Sequence, residues 1–119
     1  MKEPKPQKGR NNNGAFNLII TTTNDRQEAK RIADLLVEKG AAACVSISSP
    51  VTSVYKWKGK VETEDEFMLF IKTLAQNYPI VEKLIRENHS YEVPEIVAIP
   101  IDKGEVTYLK WLAENSQSG

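Results

Sequence analysis

Phe67-Met68-Leu69-Phe70-Ile71-Lys72-Thr73 is apolar at odd and even positions alike until Lys72 closes the run. Successive side chains of an extended chain point to opposite faces. A strand of this composition is therefore covered on both sides and belongs in the middle of a sheet. The rest of the fold follows from what can cover those two faces.

Upstream, Glu64-Asp65-Glu66 forms an acidic lead-in to the strand. Before it, Val51 to Lys58 alternates with Tyr55 and Trp57 on one face. Gly59 turns the chain and Lys60-Val61-Glu62 returns. This predicts a β-hairpin with cationic side chains near its tip. Such a hairpin, aromatic on one face and basic on the other, needs a surface to pack against. Ala41 to Ser48 reads as a further strand ended by Pro50, with Val45 and Ile47 on one face and Cys44, Ser46 and Ser48 on the other. Earlier still, Phe16 to Thr23 is β-branched and apolar, a buried strand. Asn24 with Gln27, and Asp25 with Glu28, match a helix-capping pattern. Ala29, Ile32, Ala33 and Leu36 recur at helical spacing, and Gly40 suits the C-terminal cap.

Downstream, Pro79 fits the first turn of a helix. Ile80, Val81, Leu84 and Ile85 give that helix its apolar face, and it ends near Asn88-His89. His89-Ser90-Tyr91-Glu92-Val93-Pro94-Glu95-Ile96 is a polar joint that includes the one histidine of the chain. Pro94 forces extended backbone at Val93. Residues 95–101 read as the last strand, Asp102-Lys103-Gly104 as a turn, and Tyr108, Leu109, Trp111 and Leu112 as a short helix. Residues 1–14 read as a disordered tail, 15–115 as one domain and 116–119 as a C-terminal tail.

The order is strand, helix, strand, strand, helix, strand, with an inserted hairpin and a terminal helix. That is an α+β, ferredoxin-like βαββαβ sandwich with its helices on one face of an antiparallel sheet. Helices on one face leave the second apolar face of the central strand open. Assembly with further copies is the simplest cover.

Bulk properties exclude several functions. Sixteen basic and sixteen acidic residues among 119 give a formal net charge of zero, with 40% hydrophobic and 27% charged residues. Nucleic acid binding calls for a basic stripe that this balance lacks. No apolar run is long enough to insert in a membrane, and the first fifteen residues lack the apolar stretch of a secretory signal. The single cysteine, Cys44, forms no internal disulfide, which points to a reducing, cytoplasmic setting.

The topology hosts many activities. Thr21-Thr22-Thr23-Asn24 stands where a copper chaperone of this shape carries Cys-x-x-Cys. Thr22-Thr23-Asn24-Asp25 offers no acylphosphatase-type anion loop, and Phe67 to Phe70 lacks the flanks of an RNA-binding strand. Ala41-Ala42-Ala43-Cys44-Val45, Thr52 to Val61, Ile71-Lys72-Thr73, His89 to Ile96 and Tyr108-Leu109-Lys110-Trp111-Leu112 together resemble CutA, the divalent-cation tolerance family. The family pattern at the joint is His-Pro-Tyr-Glu-x-Pro-Glu, so Ser90 replaces a proline, a departure expected to loosen the backbone.

The resemblance implies a homotrimer and binding of copper or another divalent metal, and with no nucleophile–base pair in the sequence no catalysis is expected. Its proposed ligand positions hold Thr21, Asn88 and His89 here, so His89 alone is a metal candidate and would need carboxylates or neighbouring subunits. The resemblance also implies that Cys44, Tyr55, Trp57, Lys72, Tyr91, Glu92 and Glu95 line an inter-subunit cleft. Each has a plainer reading. Cys44 packs as a small hydrophobe, Tyr55 and Trp57 pack in an interface, and Lys72 binds an anion or pairs with a glutamate. Glu92 and Glu95 are metal ligands or an acid–base pair, although no nucleophile lies near them in sequence. Two alternatives stand beside a metal-binding trimer. One is a PII-like signalling trimer holding a small anionic ligand. The other is an enzyme using the same cleft.

Overall fold

The computed structural model describes residues 14–117. Its elements are β1 (Phe16–Thr23), α1 (Arg26–Glu38), β2 (Cys44–Ile47), β3 (Val51–Trp57), β4 (Lys60–Leu74), a 3-10 turn (Ala75–Asn77), α2 (Tyr78–Asn88), β5 (Ile96–Pro100) and α3 (Val106–Glu114). The five strands form a sheet in the order β2-β4-β1-β5, with β3 also paired to β4. Every pairing is antiparallel. This is the split order that the alternation of strands and helices predicts.

The main correction concerns β4. The acidic triplet is no lead-in: β4 is one strand of 15 residues. Its first half pairs with β3, from Val51↔Glu66 to Trp57↔Lys60. Its second half lies between β1 and β2, with Leu69 opposite both Thr21 and Ile47. Alternation explains why three carboxylates do not end a strand. Glu64 and Glu66 project to one side and Asp65 to the other, so like charges are not forced together. The β3–β4 turn has Lys58 at φ 51° and Gly59 at φ 83°. Positive φ at both central residues is the tight hairpin turn whose twist matches its strands.

α1 starts where Asp25 accepts from the backbone N–H groups of Gln27 and Glu28 at 2.9 and 3.3 Å. It ends at Gly40, φ 70°, where Gly40 N–H bonds the Val37 carbonyl and Ala41 N–H bonds that of Leu36. That double closure satisfies the last carbonyls of the helix. It also tucks Ala41 and Ala42 into the core, so β2 begins only at Cys44 rather than at Ala41.

Ile19, Leu69 and Ile71 of the sheet bury Ile32 and Leu36 of α1 and Val81 and Ile85 of α2. Each such side chain contributes about 1.5–3 kcal/mol. On the other face α3 covers one end only, where Leu109 and Leu112 pack on Phe16 and Leu74. The remainder of that face stays open. Met68, Phe70, Leu18 and Ile20 are half-buried, and Val97 and Ile99 are 44% and 47% exposed.

The domain runs further than the sequence suggests. Ser116, assigned to the tail, is buried, and its carbonyl accepts from Asn77 Nδ2 at 2.7 Å. The same amide reaches Ala41 O and Thr73 Oγ1. One asparagine thereby joins the chain after α3 to the loop before β2. Residues 1–13 and 118–119 of the predicted tails lie outside the described residues.

Candidate functional site

The site begins where α2 stops. His89 turns extended, φ −100° and ψ 140°, and its side chain is 1% exposed. Nδ1 accepts from Tyr91 N–H at 3.1 Å. Accepting there uses the Nδ1 lone pair, so the ring proton is on Nε2, which donates to the Thr22 carbonyl at 2.7 Å. Both nitrogens are thus engaged with backbone.

Beside the ring lies the buried Glu28 carboxylate. Oε2 takes Thr23 Oγ1 at 2.8 Å and both the N–H and Oγ of Ser90 at 3.2 Å. Glu28 is therefore a clasp between α1, β1 and the joint rather than one half of a capping box. Ser90 does not loosen the joint, because it makes two hydrogen bonds to Glu28, one of them from an N–H that proline lacks.

Held in this way, Tyr91 reaches into a cavity of about 710 Å³ formed by the aromatic face of β3, the facing residues of β4 and the joint. Tyr91 Oη donates to Glu66 Oε2 at 2.7 Å. Tyr55 Oη donates to Glu64 at 2.8 Å, and Asn24 donates to the same carboxylate. Tyr55, Trp57, Tyr91, Glu92 and Glu95 all line the cavity, together with Glu64 and Glu66. Those last two carboxylates are hidden in the sequence by their look of a loop. Carrying the alternation back from Phe67 to Gly59 sets them on the face of Tyr55 and Trp57. The face of the hairpin that carries Tyr55 and Trp57 is thus acidic as well as aromatic, with Lys56 on the opposite one.

The cavity is electrostatically one-sided. Among the described residues, four glutamates line it against one lysine, Lys56. Burial, then the Glu66 carboxylate, pushes the Tyr91 phenol up. The hydrogen bond to Glu64 raises Tyr55. Burial, then the nearby Glu66, raises Glu95. Hydrogen bonds from Asn24 and Tyr55 hold Glu64 down. Glu66 is 6% exposed and carries one hydrogen bond, from Tyr91; it has no ion pair among the described residues.

Cys44 and Lys72 do not line this cavity. They face each other across β2 and β4, with Lys72 Nζ 3.6 Å from Cys44 Sγ and 3.3 Å from Ser46 Oγ. A tight metal site does not fit one chain. His89 has no lone pair to offer, Asn88 turns its amide to Leu84 O at 2.8 Å, and Thr21 is buried in the core. Among the described residues no three His, Cys, Asp or Glu side chains converge on a point that would hold a metal ion.

The family model of the CutA1 divalent ion tolerance protein matches residues 17–115. The chain belongs to the CutA1 family. The divalent-cation tolerance protein CutA of Thermus thermophilus is 40% identical over 99 residues, covering 83% of this chain and 96% of that one. Protein CutA of Homo sapiens is 37% identical over 105 residues, 88% of this chain, but the match spans only 59% of the human protein. The solved structure of the T. thermophilus protein superposes with a TM-score of 0.83 at 39% identity, covering 86% of this chain and 99% of that one. CutA1 of Oryza sativa superposes with a TM-score of 0.85 at 34% identity, covering 88% and 96%. Relatives in the CutA1 family occupy different compartments, one rice protein being described as chloroplastic and the Archaeoglobus fulgidus protein as periplasmic. No helix among the described residues of this family member is long and apolar enough to cross a membrane.

Proposed function

We propose that this chain is a non-enzymatic homotrimeric binding protein of the divalent-cation tolerance type, and that cations enter the acidic cleft between β3, β4 and the joint. The observation that carries this reading is the cleft's charge: four glutamates and one lysine line it. Divalent ions are held there by carboxylates, as hydrated ions, and not by the imidazole and thiolate that favour copper. The same charge disfavours the PII-like alternative, because a small anion would meet a negative wall. Both cleft phenols are pushed up and stay protonated as hydrogen-bond donors, which supports a binding role over catalysis.

Trimer formation rests on the open sheet face. It carries Val97 and Ile99 beside half-buried Leu18, Ile20 and Phe70, and a second copy would keep this apolar surface from water. Glu64 and Glu66 share the side of β4 that carries Met68 and Phe70, so a neighbour seated on that face would flank the cleft. The unbridged Cys44 suits the reducing cytoplasm.

Calorimetry with copper and zinc on the unmodified protein and on Glu66→Gln tests the cleft. Binding that weakens roughly tenfold in the variant is expected. Equal binding by both proteins, or no binding by either, overturns the assignment. Light scattering at micromolar concentration should give three times the chain mass, and a monomer refutes the assembly.

A further inference from the structure

Among the described residues, Glu66 is a buried carboxylate without a counter-ion. It is 6% exposed, lines the cavity, and has a neutral phenol as its one hydrogen-bond partner. A buried charge in that state is costly unless something positive joins it. The neighbouring carboxylates Glu64, Glu92 and Glu95 line the same cavity but do not converge with it on a point that would hold one metal ion. The negative charge is therefore spread along the cavity. Toward the hairpin tip from Glu64 and Glu66 stand Tyr55 and Trp57, opposite Glu62 and Lys60 and 40% and 38% exposed. Trp57 already has an ammonium, that of Lys58, 5.5 Å from its ring centroid, within the range of a cation–π contact.

From this arrangement we infer that the cleft binds a linear aliphatic polyamine, one ammonium on Glu66 beside Glu64 and Glu95, with the methylene stem running on over Tyr55 so that a further ammonium meets Trp57. Several charges separated by apolar spacers match separated carboxylates and aromatic walls better than a compact ion does. The cavity, about 710 Å³, lies in the range of small-molecule sites. Burial, and after it the nearby Glu66 carboxylate, raises Glu95, and an incoming ammonium would relieve the second of these. The inference deepens the cation-attracting cleft proposed above and rests on it; it does not depend on the trimer.

The test uses the full chain with Trp111→Phe, which leaves Trp57 as its only tryptophan. Its fluorescence is followed during titration with spermidine, putrescine, butylamine and magnesium at constant ionic strength. Calorimetry on the unmodified protein repeats the series. Affinity should fall in the order triamine, diamine, monoamine, with magnesium weakest. Glu66→Gln and Trp57→Leu should each weaken spermidine binding by roughly tenfold or more, with circular dichroism unchanged. Affinity should rise with pH as Glu95 ionises. Magnesium binding as tightly as spermidine would reduce the effect to charge screening and overturn the proposal, as would equal binding by Glu66→Gln. Copper or zinc binding without spermidine binding sinks the polyamine and leaves the cation reading intact. Spermidine binding to a protein that light scattering shows to be monomeric does the reverse for the trimer.

Discussion

At the scale of single residues, the chemistry of the joint lies in two glutamates remote from it in sequence. Glu28 is 62 positions from Ser90 and Glu66 is 25 from Tyr91. Glu28 imitates a capping residue and Glu66 imitates a loop charge, so neither role is legible before the chain folds. His89 drew notice as the only imidazole, yet it serves as a backbone brace. His89→Ala should lower stability by about 2–4 kcal/mol, from lost packing and two lost hydrogen bonds, while copper affinity measured by calorimetry stays unchanged. Ser90→Pro restores the family's residue, and the extended backbone of His89 accommodates it. It nevertheless removes the two Ser90 donors from buried Glu28 and leaves only Thr23 Oγ1 on that oxygen, so urea denaturation should show a loss of about 1–3 kcal/mol. Glu95 gives a signed test. Its folded carboxyl titrates above its ordinary range, so its contribution is fully present in acid and is lost as pH rises through the raised value. Glu95→Gln should therefore raise the melting temperature at neutral pH and leave it unaltered in acid.

Elements were easier to read than residues. Helical periodicity located α1, α2 and α3, and alternation located β2 and β3, because each pattern reports which side meets the core; β1 was legible as a β-branched apolar run. The length of β4 was hidden, since an acidic triplet in a strand is stabilised by partners the sequence does not display. Two glycines carry conformational demands that melting curves can test. Gly59 sits at φ 83° in the hairpin turn, so Gly59→Val should cost about 1–2 kcal/mol. Lys58 next to it, at φ 51°, should gain stability as Lys58→Asn, which tolerates that backbone. A Cβ at Gly104 would lie 2.8 Å from Leu109 Cδ2. Leu109 is buried and cannot swing aside, so Gly104→Ala should loosen α3 at a cost of about 1–3 kcal/mol.

For the whole molecule, the two-faced central strand signalled that more surface needs cover than one chain supplies. The structure locates that surface on the Val97–Ile99 side of the sheet. The proposed assembly on that face depends on a second chain, and no pattern within one sequence encodes that geometry. Ile99→Asp places a charge on the open face without touching the helix-side core. Its expected outcome is a smaller species by light scattering, with far-ultraviolet circular dichroism unchanged. An unchanged mass would overturn the proposal that copies meet on this face.

The unbroken register of β4 has a consequence for how this fold tolerates insertions. From Lys60 to Leu74 every second side chain keeps the same parity, with no bulge to reset it. Inserting or deleting one residue near Glu66 would exchange odd for even along half the strand. The hairpin would then show Asp65 where Glu64 and Glu66 now face Tyr91, while the core beyond stayed intact. Length variation in this hairpin is therefore tolerable in steps of two residues per strand, or at the turn itself, and a single-residue change abolishes the cleft without unfolding the domain.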